Sequence, residues 1–333
     1  MDWLNADWFR DLENKEKKRP SAPVDLPPPR RRDWADPAGY LPDQGLADAI
    51  RVALVLRKPL LVTGEPGTGK TECAAYLAWK LGRPKPLVFD AKSTSAARDL
   101  FYTFDTLGRF QAMHADKTER NALDFLRWNA LGDAILQTRE PAYVEGLRAP
   151  DWAHHGPAES VVLIDEIDKA PRDFPNDLLS EIDRMYFRVP ELNNRLVEAA
   201  SGRHPVVVIT SNSEKNLPPA FLRRCVYYDI PFPEKRLEEI VAARLPEAAV
   251  AGSRVLKDAI AFFLHLRNDD TGLSKKPATA ELLDWLLYLM QRGAKPALPL
   301  REQDGLVTPS LVALLKNKED QDQREDLWNN WKP

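Results

Sequence analysis

Residues 59–71 read Pro59-Leu60-Leu61-Val62-Thr63-Gly64-Glu65-Pro66-Gly67-Thr68-Gly69-Lys70-Thr71, and their reading decides the fold. Pro59 to Val62 is a short apolar run, the signature of a strand buried on both faces. Gly64 to Thr71 satisfies G-x-x-x-x-G-K-[ST] at every fixed position. A helical pattern follows, with Cys73, Leu77 and Leu81 on one face and a stop at Gly82 before Pro84. Strand, glycine-rich loop and helix, in that order, is the arrangement that phosphate binding requires. Glycines let the backbone fold around phosphates and point N–H groups at them. The helix N-terminus adds partial positive charge. Lys70 is therefore expected to reach the β- and γ-phosphates of a nucleotide, and the Thr71 hydroxyl to ligate Mg²⁺.

Outward from this loop, four more apolar runs alternate with helical patterns: Leu87-Val88-Phe89, Val161-Val162-Leu163-Ile164, Val206-Val207-Val208-Ile209 and Val226-Tyr227-Tyr228. The alternation predicts an α/β fold, a doubly wound parallel sheet flanked by helices. The run at 161–164 ends in Asp165-Glu166. Ligands of open α/β sheets bind at the carboxyl ends of the strands, so both carboxylates are expected to face the crevice of the phosphate loop. Asp165 is placed to hold Mg²⁺ and Glu166 to act as general base on an attacking water. The connection from Asp90 to Val161 is far longer than the roughly dozen residues that a strand–helix–strand crossover needs, so a segment is inserted there. After Phe232-Pro233 the strand patterns stop, and 234–245, 255–267 and 280–291 read as helices of a smaller all-helical domain.

The expected organisation is an extended arm over 1–36, an α/β nucleotide-binding domain over 37–232, a helical domain over 233–315 and a polar, partly ordered tail over 316–333. The arm carries prolines at 20, 23, 27, 28 and 29 and then Arg30-Arg31-Arg32, a composition that opposes helix and sheet. Its cluster of Trp3, Trp8 and Phe9 reads either as a docking element or as a loosely packed helix. The net charge is −3, so no global basicity points to nucleic acid or to an anionic membrane. No apolar run is long enough to cross a bilayer, and Met1 to Asp7 has no secretory pattern, so the cytoplasm is the expected compartment. Cys73 and Cys225 lie far from any His/Cys cluster and read as buried reduced thiols. His154-His155 reads as loop surface.

These stretches resemble the AAA+ superfamily and, within it, the MoxR-like ATPases. The resemblance runs from about Tyr40 to Leu289. It is carried by Gly64-Glu65-Pro66-Gly67-Thr68-Gly69-Lys70-Thr71, by Leu163-Ile164-Asp165-Glu166-Ile167-Asp168-Lys169-Ala170-Pro171 and by Asp177-Leu178-Leu179-Ser180-Glu181. The resemblance implies ATP as ligand and a sensor-1 role for Asn212, in Thr210-Ser211-Asn212. It implies an arginine finger in Phe221-Leu222-Arg223-Arg224-Cys225-Val226. Arg224 is preferred because the family's arginine usually directly precedes the apolar residue that opens the strand, with Arg223 as the alternative. The family also has an insert in the second core helix and a hairpin before sensor 1, here expected near 99–136 and 185–204, with the helical domain as lid. Phe101, Tyr102, Phe104 and Phe110 of the first insert read as core packing before substrate contact. The arginine with which many lids begin their penultimate helix is missing at Pro277-Ala278-Thr279-Ala280-Glu281, so the sensor-2 role stays unassigned.

By resemblance the chain is expected to work as a homo-oligomeric, hexameric ring that remodels a protein, frequently beside a von Willebrand factor A domain protein. A nucleotide-dependent switch or scaffold with slow turnover would use the same residues. A GTP-driven DNA motor of the McrB type is a third reading. It is opposed by Thr210-Ser211-Asn212-Ser213-Glu214 where that group carries Asn-Thr-Ala-Asp, and by the lack of a basic, aromatic-interleaved patch.

Overall fold

The computed structural model describes residues 36–115, 121–213 and 217–332. The expectations for the extended arm and its Trp3, Trp8 and Phe9 cluster lie outside the described residues. The described residues divide into two compact units, one within Tyr40–Pro233 and, separately, one of residues 234–332 with residues 36–39.

In the first unit, α1 (Gln44–Leu56) precedes β1 (Leu60–Gly64), α2 (Lys70–Lys80) and β2 (Leu87–Asp90). An insertion follows: β3 (Tyr102–Phe104), α3 (Thr106–Ala115), β4 (Leu126–Trp128) and α4 (Ala130–Gln137). Next come β5 (Val161–Asp165), α5 (Leu179–Arg184), the hairpin of β6 (Tyr186–Val189) and β7 (Arg195–Glu198), then β8 (Val206–Thr210) and β9 (Val226–Ile230). Five strands form one sheet in the order β2-β5-β8-β1-β9, every neighbouring pair parallel. They are the five apolar runs that the sequence marks as strands.

Successive side chains point to opposite faces of a strand, and both faces of this sheet are covered. Leu61, Val162, Ile164, Val207 and Ile209 enter one core with Leu131, Ile135 and Phe174. Leu60, Val62, Val161, Leu163 and Val208 enter a second core, with Leu46 and Ile50 of α1 and Cys73, Ala74 and Leu77 of α2. A sheet buried on both faces cannot show hydrophobic alternation, which is why these strands appear as unbroken apolar runs. The inserted β3 and β4 pair antiparallel. Phe101 and Tyr102 are buried and Phe104 packs against the same core. Phe110, on α3, is instead 59% exposed, so core packing accounts for three of the four aromatics.

The second unit is helical: α6 (Leu237–Arg244), α7 (Arg254–Arg267), α8 (Thr279–Gln291), α9 (Asp304–Ser310), α10 (Lys318–Asp322) and α11 (Arg324–Asn330). Residues 316–332 correct the expectation of a partly ordered polar tail over 316–333. Trp328 and Trp331 are buried, packed edge-on to Phe262 with ring centroids 4.9 Å and 5.3 Å away. The Arg301 guanidinium lies 4.4 Å from the Trp328 ring centroid and donates to the Trp328 carbonyl at 2.6 Å. Trp328 Nε1 donates to Asp304 Oδ1 at 3.0 Å. Two aromatic anchors thus fold a segment whose average composition is that of a tail. No helix among the described residues is long and apolar enough to cross a membrane.

Candidate nucleotide site

The sheet register builds the site. Val62 of β1 is opposite Thr210 of β8, and Ile164 of β5 is opposite Ile209 of β8. The carboxyl ends of β5, β8 and β1 therefore finish side by side. Gly64 leaves β1 with φ 138°, and a Cβ there would stand 2.7 Å from the Ile230 carbonyl oxygen. Gly69 precedes α2 with φ 89°, and a Cβ there would stand 2.9 Å from the Tyr40 ring. Both positions require glycine, for conformation and for space. Thr68 Oγ1 donates to the Glu65 carbonyl at 2.8 Å, closing the loop on itself.

Lys70 opens α2 and is buried. Its Nζ donates to the Gly64 and Glu65 carbonyls at 2.7 Å and 3.0 Å and to Asn212 Oδ1 at 3.2 Å. Burial pulls its pKa below the ordinary lysine value, opposed by the charges of Asp168, Asp165, Glu166 and Asp229. The Thr71 hydroxyl donates to Asp165 Oδ1 and Oδ2 at 3.1 Å and 3.2 Å. The buried Thr210 hydroxyl donates to Asp165 Oδ1 at 2.5 Å and accepts from the Glu166 N–H at 2.8 Å. One hydroxyl thus ties both strand-end acids to β8. Glu166 has left-handed backbone, φ 54° and ψ 50°, a conformation that costs a non-glycine residue energy and concentrates at functional sites. Its carboxylate is paired with Lys169, and that hydrogen bond raises the Lys169 pKa.

The phosphate loop, Asp165, Glu166 and Asn212 therefore converge at one end of the sheet. The arginines stand before β9. Arg224 Nε donates to Asp183 Oδ2 at 2.5 Å and Arg224 Nη1 to the Ala220 carbonyl at 3.0 Å. The Arg223 side chain is exposed and has no partner among the described residues. Four residues that sequence reading gave no role belong to this region: Thr210, Asp168, Lys169 and Asp183. Thr210 and Asp168 stand inside the stretches that mark the site, but their partners follow from strand register, which local spacing does not encode.

The donor set suits Mg²⁺, which takes hard oxygen ligands and is usually held by one or two carboxylates with substrate phosphates and waters. The Thr71 hydroxyl and Asp165 carboxylate supply two such oxygens in contact. No group of three or more His, Cys, Asp and Glu that could hold a metal occurs among the described residues. Cys73 and Cys225 are free, and burial pushes each thiol up to about 12.

A G-x-x-x-x-G-K-T loop on a five-stranded parallel sheet, facing an acidic strand end, defines a P-loop nucleotide-binding protein of the AAA+ fold. The family model described as "AAA domain (dynein-related subfamily)" matches residues 59–225, half of the chain, and the chain belongs to this family. Among solved structures it is similar to the Thermotoga maritima RuvB Holliday junction branch migration motor. The identity is 14% and the TM-score 0.41, over 80% of this chain and 66% of that one. A single-substitution variant of the same RuvB gives the same values. The chain thus spans just under two thirds of the length of those structures. No curated protein matches it.

Proposed function

We propose that this chain is a MoxR-like ATPase that hydrolyses ATP to ADP and phosphate with Mg²⁺ and acts as a ring-forming remodeller of a protein partner. One observation carries the reading: Thr71, in the first turn of α2, meets Asp165 and Thr210 at the ends of two adjacent strands, 3.1 Å and 2.5 Å apart along the chain of hydroxyl and carboxylate, beside the Lys70–Asn212 contact of 3.2 Å. Backbone N–H groups of the loop Gly64 to Thr71, Pro66 excepted, and the Lys70 ammonium would hold the β- and γ-phosphates. Thr71 and Asp165 would hold Mg²⁺, which neutralises charge developing on the phosphate oxygens. Glu166 would take the proton of the attacking water, and Asn212 would orient that water. Arg224 would act on a neighbouring subunit's γ-phosphate, with Arg223 as alternative. The pair with Asp183 does not prevent this, since an exposed ion pair is worth about 0–1 kcal/mol.

Mg-ATP binding by calorimetry tests the loop. Lys70→Ala should weaken binding itself, and unchanged affinity would remove Lys70 from the phosphate site. Light scattering of Glu166→Gln protein tests assembly. ATP should shift it to a larger species, because a triphosphate at a subunit boundary gains contacts there. A monomer at every concentration would contradict the ring.

The contact of Glu166 with Lys169 favours a second reading, an ATP-dependent assembly switch whose base is held out of use and whose turnover is slow. Turnover with and without the partner, for which a von Willebrand factor A domain protein is the first candidate by resemblance, separates the two. A motor works in both states. A switch stays slow in both.

A further inference from the structure

Asn212 follows β8 in an exposed loop, where nothing regular holds its side chain. Asp168 does hold it. This residue sits in the single helical turn Ile167–Lys169 that follows the two strand-end acids. Its Oδ1 accepts from the Asn212 backbone N–H at 3.1 Å, and its Oδ2 accepts from Asn212 Nδ2 at 3.4 Å. The remaining side-chain atom, Asn212 Oδ1, accepts from Lys70 Nζ at 3.2 Å. An amide has one accepting end and one donating end. With a carboxylate at one end and an ammonium at the other, only one orientation is favourable. A flipped amide would set its oxygen against the Asp168 carboxylate and its NH₂ against the Lys70 ammonium.

We infer that Asp168 is a positioning residue of this site: it fixes the Asn212 amide with Nδ2 toward itself and Oδ1 toward Lys70, and thereby sets where Asn212 meets the attacking water. The inference rests on the hydrolytic reading above. Asp168 reaches no reacting atom in this scheme and acts only through Asn212.

The test compares wild type with Asp168→Ala, Asp168→Asn, Asn212→Ala and the double variant Asp168→Ala/Asn212→Ala, measuring kcat for ATP and the Kd of Mg-ATP separately. Misplacing a group by about an ångström costs on the order of a hundredfold in rate. Asp168→Ala should therefore lose roughly tenfold to a hundredfold in kcat, with Kd within about threefold of wild type. Asp168→Asn keeps shape and volume but sets one NH₂ group against an N–H donor of Asn212, so it should lose turnover as well. The decisive outcome is non-additivity. The double variant should be no slower than Asn212→Ala, because a positioning residue has nothing left to position. Losses that multiply in the double variant, or an Asp168→Ala protein with wild-type kcat, overturn the inference while leaving hydrolysis intact. An Asp168→Ala defect confined to Kd overturns it too. A wild-type protein without turnover overturns both the inference and the reading beneath it.

Discussion

At the scale of single residues, the site depends on hydroxyls and charges that bridge strand ends. Thr210 is buried, donates to Asp165 and accepts from the Glu166 N–H. Thr210→Val keeps the shape and leaves the partly buried Glu166 N–H and the Asp165 carboxylate without that partner, a loss of about 1–3 kcal/mol. Urea unfolding should show the midpoint falling with an unchanged slope, and turnover should fall with it. A variant as stable as wild type would mean that water replaces the hydroxyl. Lys169 gives a prediction of opposite sign. Its contact with Glu166 holds the proposed base, so Lys169→Met should raise basal ATP turnover, by roughly twofold to fivefold for an exposed pair. Slower turnover would show instead that Lys169 helps to orient Glu166. Cys73 is buried on the inner face of α2, the helix that follows the phosphate loop, with its thiol pushed up to about 12. It should resist alkylation at neutral pH until the protein unfolds, a point that mass spectrometry after timed iodoacetamide treatment settles.

At the scale of elements, stability should follow which sheet faces are covered. Ile164 of β5 is fully buried, and Ile164→Ala should cost about 2–5 kcal/mol. Val88 of the edge strand β2 is 52% exposed, and Val88→Ala should stay within about 0.5 kcal/mol. Equal losses in chemical unfolding would contradict the sheet order. The same contrast explains what the sequence made legible. Strands buried on both faces must be apolar at every position, so β1, β5 and β8 stand out as runs, and the loop and acids attached to their ends come with them. Register is not local. Nothing in the spacing of Thr210 and Asp165 says that they touch, and nothing in Asp168 says that it holds Asn212. Residues 316–333 were misleading for a related reason. Leu327, Trp328 and Trp331 are spaced among charges, and what buries the tryptophans is Phe262 and Arg301, far back in the chain. Short-range periodicity registers the charges and misses the distant ring.

At the scale of the whole molecule, the proposed chemistry is shared between subunits. If Arg224 serves a neighbour, Arg224→Ala and Glu166→Gln should each hydrolyse poorly, yet their mixture should exceed the sum of its parts. A Glu166→Gln subunit lends an intact Arg224 to an Arg224→Ala neighbour whose base is intact, and arginine fingers elsewhere are worth roughly 10³ to 10⁵ in rate. The gain should vanish on dilution below the assembly concentration. No recovery in demonstrably mixed assemblies would move the finger to Arg223 or remove it. Beneath all of this lies the claim that Glu166 activates water against a nucleotide held by Lys70, Thr71 and Asp165. The most direct test is ATP turnover and Mg-ATP affinity, measured side by side on wild type and Glu166→Gln. Affinity should stay within a few-fold, while turnover should fall by about 10² to 10⁴, the usual contribution of a general base. A Glu166→Gln protein that hydrolyses ATP at the wild-type rate would contradict the account.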